Sequence, residues 1–196
     1  YDSSVWKTVF GTPGTSSGVL ILQQAATIHL GDCVKGDFEF GVNVPNSPAG
    51  GESRRFGLYS PNLSAYAWFS IEGETLKGQI SDGTNSSEVS ITWESAWSGA
   101  VTKFKIHWDA GMVRFYVGGA LKGTLSGSAI PTTPLALYLS NANTDLVTFS
   151  YINATGIHTF TMHTDQGDAT FLGGNPYVAD AITIAENVSL SPTWLP

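Results

Sequence analysis

The sequence predicts an all-β fold, a sandwich of two antiparallel sheets, and three observations carry that expectation. Apolar and polar residues alternate with a period of two, as in Phe104, Ile106 and Trp108 against Lys103, Lys105 and His107. Turn signals separate these runs at intervals of about 8–12 residues. No segment combines a helical period with caps and helical length. An immunoglobulin-type domain takes about 100 residues, and the strands in these 196 residues already exceed that. Periodicity alone does not choose between a jelly roll and an immunoglobulin-like arrangement.

Taken in order, 5–10 and 19–22 are short apolar runs, separated by the turn-rich GTPGTSSG at 11–18. Residues 37–45 alternate clearly, with Phe38, Phe40, Val42 and Val44 on one face. The loop PNSPAGG follows at 45–51, and a strand resumes at 55–60. Over 65–72, Ala67, Phe69 and Ile71 share one side, with Tyr66, Trp68, Ser70 and Glu72 on the other. Gly73-Glu74 turns the chain, 76–81 returns, and Asp82-Gly83 marks a tight turn. A strand at 89–93 leads through a Gly-containing connection at Trp97 into 103–125, the best-marked part of the chain. There the strand ending at Trp108 breaks at Asp109-Ala-Gly111, where Gly111 is free to take positive φ. Val113, Phe115 and Val117 form the next apolar face, opposite Arg114 and Tyr116, before Gly118-Gly119 turns the chain again. Ile130-Pro-Thr-Thr-Pro134 links to strands at 135–140 and 146–152. Trp93 and Trp108 share faces with Phe, Ile and Val and read as core.

Composition narrows the function classes. Charged residues are 13% of the chain, about half the usual quarter, so Ser, Thr, Asn and Gly carry the surface. That pattern suits an extracellular, cell-surface or virion-surface protein. A net charge of −7 argues against nucleic acid as a partner, since nothing would displace counterions from phosphates. Arg54-Arg55 is the tightest basic cluster and reads as two solvated loop charges. Cys33 is the single cysteine, which excludes an intrachain disulfide and a Cys-based zinc site and leaves a structural, half-buried thiol. No apolar run reaches the length of a membrane span. No signal peptide is visible and the chain starts at Tyr1 without Met, the form of a mature product or an excised fragment. Sequons at Asn62, Asn85, Asn153 and Asn187 matter only in a glycosylating host. The four His residues show no metal-ligand spacing, and no G-x-S-x-G elbow is present.

The block FKIHWDAGMVRFYVGGALKGTLSGSAIPTTPLALYLSNAN at 104–143 resembles the hairpin, Ile-Pro-Thr-Thr-Pro link and following strand of the concanavalin A-like lectin/glucanase superfamily, nearest its lichenase and laminarinase branch. GDFEFGVNVPN at 36–46 is similar to the G-x-F-E strand of that branch. Gly118 stands where the family usually has Asp. The resemblance implies a jelly roll of two antiparallel sheets, one concave and commonly a sugar-binding groove. It also implies that a structural calcium ion is an eligible cofactor, although no loop here has ligand spacing that names its donors. The expected organisation is a jelly roll over 1–156 followed by a β appendage over 157–196, docked on the sandwich or on a neighbour. The end of that appendage, with Asn187, Val188, Ser189, Leu190 and Trp194, is similar to the closing segment of a Listeria–Bacteroides type surface repeat. Its Phe160, Phe171, Ile182, Ile184, Leu190 and Trp194 need a buried home.

The glucanase branch carries Glu-x-Asp-x-Glu or Glu-x-Asp-x-x-Glu on one concave strand. Alignment on the Gly that ends the strand puts Tyr66, Trp68 and Ser70 at the acidic positions, and a slip of two residues puts Trp68, Ser70 and Glu72 there. Neither register supplies the pair of carboxylates that a retaining glycosidase needs. What replaces them is aromatic. Tyr66 and Trp68, with Arg114, Tyr116 and Tyr138, are the candidate carbohydrate-binding residues, since sugar rings stack their C–H faces on flat aromatic surfaces. Trp68 reads equally as a sugar contact or as a buried side chain. The function expected is a non-catalytic, lectin-like domain with a polysaccharide or glycan as partner. A structural module of a fibre, capsid or surface layer, pairing with copies of itself, is the alternative, and a glucanase-like hydrolase is the third.

Overall fold

The computed structural model describes residues 6–16, 19–33, 35–44, 53–60, 62, 64–72, 75–142 and 144–155, with strand segments at 158–160, 169–171, 175–177 and 182–184. The strands in chain order are β1 (Trp6–Phe10), β2 (Gly14–Ser16), β3 (Val19–Leu22), β4 (Ala25–Cys33), β5 (Gly36–Asn43), β6 (Ser53–Ser60), β7 (Ala65–Glu72), β8 (Thr75–Asp82) and β9 (Ser86–Thr92). They continue with β10 (Val101–Trp108), β11 (Met112–Val117), β12 (Ala120–Ser126), β13 (Leu135–Asn141) and β14 (Val147–Thr155). The last four are β15 (His158–Phe160), β16 (Ala169–Phe171), β17 (Asn175–Tyr177) and β18 (Ile182–Ile184). One 3₁₀ turn, Ser95–Trp97, interrupts the described residues, and none of their helices is long and apolar enough to cross a membrane.

Two antiparallel sheets face each other. The larger runs β18-β15-β4-β13-β6-β7-β8-β9, with β1 also on β4; the smaller runs β12-β11-β10-β5-β14-β3-β2. The all-β sandwich expected from the sequence is therefore the fold. Between the sheets the apolar halves of the alternating strands meet in one phenylalanine cluster. Phe56 of β6 stacks on Phe69 of β7 at 5.4 Å and meets Phe104, Phe40 and Phe149 of the other sheet edge-on at 5.0–6.0 Å. Phe69 repeats the pattern toward Phe104 and Phe115 at 5.2 Å. Such contacts are worth about 0.5–1.5 kcal/mol each beyond area burial, so these rings fix the sheets face to face. Trp108 lies in this core and Trp93 packs partly buried at its edge.

The hairpin of β10 and β11 pairs Phe104 with Val117 and Trp108 with Val113 in continuous register. Its first turn differs from expectation. Gly111 keeps an ordinary φ, and the turn is held instead by the Asp109 carboxylate, which accepts from the Gly111 and Met112 N–H groups at 2.8 and 3.0 Å. The second turn needs its glycines: Gly118 and Gly119 sit at φ of 60° and 84°, the left-handed pair that matches strand twist in a two-residue hairpin.

Some local expectations are corrected, and one strand is found that the sequence did not mark. The loop at 11–18 contains β2, which pairs with β3. The nine-residue β4 has no clear sequence period, because its pairing with β13 shifts register between Ala136 and Tyr138 and both Ala25 and Ala26 are buried. Arg54-Arg55 is not a solvated loop pair but part of β6, whose alternation sends the two side chains to opposite faces. Arg54 is fully buried and bridges Asp145 at 3.3 Å, beside an Asn141 amide that donates to the Leu22 and Asp145 carbonyls. The Cys33 thiol, expected half-buried, is buried. In the C-terminal region the backbone of β15 pairs with β4 and β18, and β16 with β17. The surface-repeat positions Asn187, Val188, Ser189, Leu190 and Trp194 lie outside the described residues, as do the side chains of Phe160, Phe171, Ile182 and Ile184.

Candidate functional site

The site is built on the outward face of the larger sheet. Inward residues of β6 and β7 enter the phenylalanine core, so Arg55, Gly57 and Tyr59 on β6 and Tyr66, Trp68, Ser70 and Glu72 on β7 point away from it. Register then aligns these residues in rows across five strands. One row is Tyr138, Gly57, Trp68, Gln79 and Glu88. The row on one side is Ser140, Arg55, Ser70, Lys77 and Ser90, and on the other Ala136, Tyr59, Tyr66, Ser81 and Ser86.

Four aromatic side chains from three strands converge in these rows. Tyr66 stacks on Trp68 at 4.1 Å and 3° between planes. Tyr59 and Tyr138 approach the indole at 5.5 and 6.0 Å and each other at 5.2 Å. The Arg55 guanidinium lies 5.0 Å from the centre of the indole, a cation–π contact. The Trp68 N–H donates to Gln79 Oε1 at 2.9 Å. Gly57 makes this crowding possible, because a Cβ there would stand 2.6 Å from Trp68 Cα, at a φ of +153°. The three tyrosines are half-buried, whereas Trp68 is only 7% exposed. Of the two readings open for Trp68, burial is what the structure shows: its neighbours close over it, and the tyrosines present the accessible surface.

The polar groups around this shelf are already engaged. Glu88 accepts from Lys77 and Gln79, each at 2.9 Å. Those hydrogen bonds, Lys77 first, hold its carboxyl below the ordinary range. Glu72 accepts from Ser70 at 3.1 Å and stands 3.9 Å from Arg55. Burial pushes the Tyr66 phenol up, with Arg55 opposing and Glu88 assisting. Glu72 and Glu88 are two strands and four residues out of register, about 16 Å between Cα positions at ordinary strand spacings. A retaining pair needs carboxyl groups about 5–5.5 Å apart, and no second carboxylate stands beside Glu72 on β7.

Of the candidate sugar-binding residues, the structure brings Tyr66, Trp68 and Tyr138 together and separates Arg114 and Tyr116 from them. These two lie on β11, on the outward face of the smaller sheet, with the core in between. They belong to a charged surface. There His107 Nδ1 meets Asp37 at 2.7 Å, Lys105 meets Asp37 at 3.0 Å, Lys103 meets Glu39 at 2.6 Å, and Arg114 stands 3.9 Å from Asp109. Lys105 lies 5.6 Å from the ring centre of Tyr116. Alternation places Arg114 and Tyr116 outward, but it does not say outward from which sheet. Tyr59 and Arg55 were missed, although the period-two pattern of β6 puts them on one face with Gly57. Among the described residues no group of three or more His, Cys, Asp or Glu is arranged to hold a metal ion.

The two antiparallel sheets form a jelly-roll β-sandwich. Solved structures that it resembles include laminarinases, a lichenase and a glycoside hydrolase family 16 endo-glucanase. The laminarinase catalytic domain of Thermotoga maritima superposes with a TM-score of 0.65 at 15% identity, over 78% of this chain and 92% of that one. The Bacillus licheniformis β-glucanase gives 0.60 at 14%, over 79% and 93%. A family 16 endo-glucanase from Bacteroides ovatus gives 0.63 at 9%, over 79% and 96%. No protein-family model matches the sequence, and no curated protein matches it by sequence.

Proposed function

We propose that this domain binds a polysaccharide on the outward face of the larger sheet without cleaving it. The observation that carries the reading is the row Tyr138, Gly57, Trp68, Gln79, Glu88, which sets an aromatic shelf across the middle of the sheet. Sugar rings offer apolar C–H faces to the half-buried tyrosines, and Arg55, Glu72 and Lys77 at the margins offer partners for hydroxyls. The absence of a retaining carboxylate pair on β7 supports binding over hydrolysis, and the engaged, ionised Glu88 is no proton donor. A surface with few charges and many Ser, Thr and Asn residues suits a secreted or surface location. Hydrolysis is the second reading, favoured by structural neighbours that are a laminarinase and a β-glucanase.

The test is calorimetric titration with laminarin, mixed-linkage β-glucan and agarose, alongside a reducing-end assay. Binding of at least one glycan is expected, with no reducing ends released. Tyr66→Ala or Tyr138→Ala weakens that binding several-fold or more, where about 1.4 kcal/mol is a factor of ten. Turnover abolished by Glu72→Gln or Glu88→Gln establishes the hydrolase instead. Absence of binding, together with a solution mass that is a multiple of the chain, transfers the shelf to self-assembly.

A further inference from the structure

Beyond one end of the shelf, β8, β9 and the 3₁₀ turn enclose a groove of about 570 Å³, within the usual range of small-ligand sites. Thr75, Ser90, Thr92, Ser95 and Ser98 line it with hydroxyls, and Trp93 contributes its indole. Among the described residues no charged side chain lines it. Charged groups next to it among the described residues have partners elsewhere: Glu94 accepts from Lys122 at 2.7 Å, Lys77, the cross-strand neighbour of Ser90, donates to Glu88 at 2.9 Å, and Glu72, the cross-strand neighbour of Thr75, accepts from Ser70 at 3.1 Å.

The indole is fixed before any ligand arrives. Its N–H donates to Ser98 Oγ at 3.2 Å, and its ring packs edge-on against Trp97 at 5.5 Å and 83°. Trp97 is itself held beneath the Lys122 ammonium, 5.6 Å from the ring centre. A side chain already immobilised loses little rotamer freedom on binding. Hydroxyls donate and accept alike, so five of them around a flat apolar ring match a ligand that is apolar on its faces, hydroxylated at its rim and uncharged.

We infer that this groove is a second carbohydrate subsite, for a neutral saccharide unit, separate from the tyrosine shelf. Thr75 pairs with Glu72, four residues along β7 from Trp68, which is about 13 Å at strand rise. Thr92 lies one strand further out. A sugar on the tyrosines therefore does not fill the groove, and the groove's chemistry does not depend on the shelf binding anything.

The indole N–H signals of Trp93 and Trp68 report on the two places separately by nuclear magnetic resonance. The full chain is titrated with neutral β-1,3-, mixed-linkage and β-1,4-gluco-oligosaccharides and with manno- and galacto-oligosaccharides, and a sulfated galactan oligosaccharide serves as the charged control. The expected result is a saturable shift of the Trp93 signal with at least one neutral series and none with the sulfated one. Thr92→Arg, at an exposed position that fills the groove, weakens that response at least tenfold while leaving the melting temperature and any Trp68 response unchanged. Ser95→Arg does the same from the 3₁₀ turn, at another exposed position of the groove. If no neutral series moves the Trp93 signal at millimolar concentration, or if the shift survives both substitutions, the subsite is overturned. A response at Trp68 alone removes the groove and leaves the shelf; a response at Trp93 alone does the reverse.

Discussion

Replacing Trp68 by alanine tests whether the shelf is part of the folded framework or a loose surface decoration. An aromatic side chain buries about 150–250 Å², so at about 25 cal/mol per Å² the indole contributes about 4–6 kcal/mol when fully covered. Trp68 is 7% exposed, which leaves nearly all of that area covered. Its site opens toward solvent once the ring is gone, so water refills part of the space and the lower end of the usual 3–5 kcal/mol for Trp→Ala applies. The same change removes the hydrogen bond to Gln79, worth about 1 kcal/mol, and the stack with Tyr66. A loss of about 3 kcal/mol is expected. In urea, with a slope of about 2 kcal/mol per molar, the midpoint falls by about 1.5 M. Trp68→Phe keeps the stack, loses the indole donor and falls by roughly half as much. A Trp68→Ala midpoint within about 0.25 M of the parent would refute the reading that Tyr66, Tyr59, Tyr138 and Arg55 enclose this side chain.

Two further outcomes are expected. Gly57→Ala places a Cβ 2.6 Å from Trp68 Cα at a φ that side chains rarely adopt. It should cost about 2 kcal/mol or more and weaken glycan binding with it, read from a melting curve and a titration on the same sample. Acid stability should depend on the smaller sheet's charged face. Burial pushes the Asp37 carboxyl up, but hydrogen bonds from His107 and Lys105 outweigh it and hold the group below the ordinary range. The Asp109 carboxyl is lowered chiefly by the Gly111 N–H. In both cases the unfolded chain binds the proton first as pH falls. Their stabilisation is therefore present above the ordinary carboxylate range and lost on descending through the depressed folded values. Asp37→Asn should flatten the acid limb of a stability-versus-pH curve while lowering stability at neutral pH. An acid limb unchanged by Asp37→Asn would show that the pair with His107 and Lys105 carries no net stabilisation.

Much of the fold was legible because β-alternation is written locally. Phe38, Phe40, Val42 and Val44, then Ala67, Phe69 and Ile71, then Phe104, Ile106 and Trp108, name their own buried faces. Where a bulge or short pairing spoils the period, legibility fails. The register shift in β4 and the three residues of β2 left no pattern to find. Burial of Arg54 was equally invisible: a pair of adjacent arginines beside a glycine-rich loop reads as solvated until Asp145 and the end of β13 are brought around the first of them.

For the site, the residues of β7 identified the outward face and its aromatic character. They did not identify the company those aromatics keep. Tyr59 and Tyr138 reach Trp68 from β6 and β13, strands separated in sequence by some eighty residues and brought together by a ladder in which Tyr138 pairs with Gly57. Arg114 and Tyr116 have the right spacing and the wrong sheet.

By itself the amino-acid sequence determined the strands whose alternation is regular and which side chains of each point the same way, since a two-residue period is set by the pleat of a single chain. Only the tertiary structure decided which strands lie side by side, and therefore which outward faces become one surface. That choice rests on pairings between distant segments and on how bulky rings close over one another. It joined Tyr59, Tyr66 and Tyr138 around a buried Trp68 and put Arg114 and Tyr116 on the other side of the core.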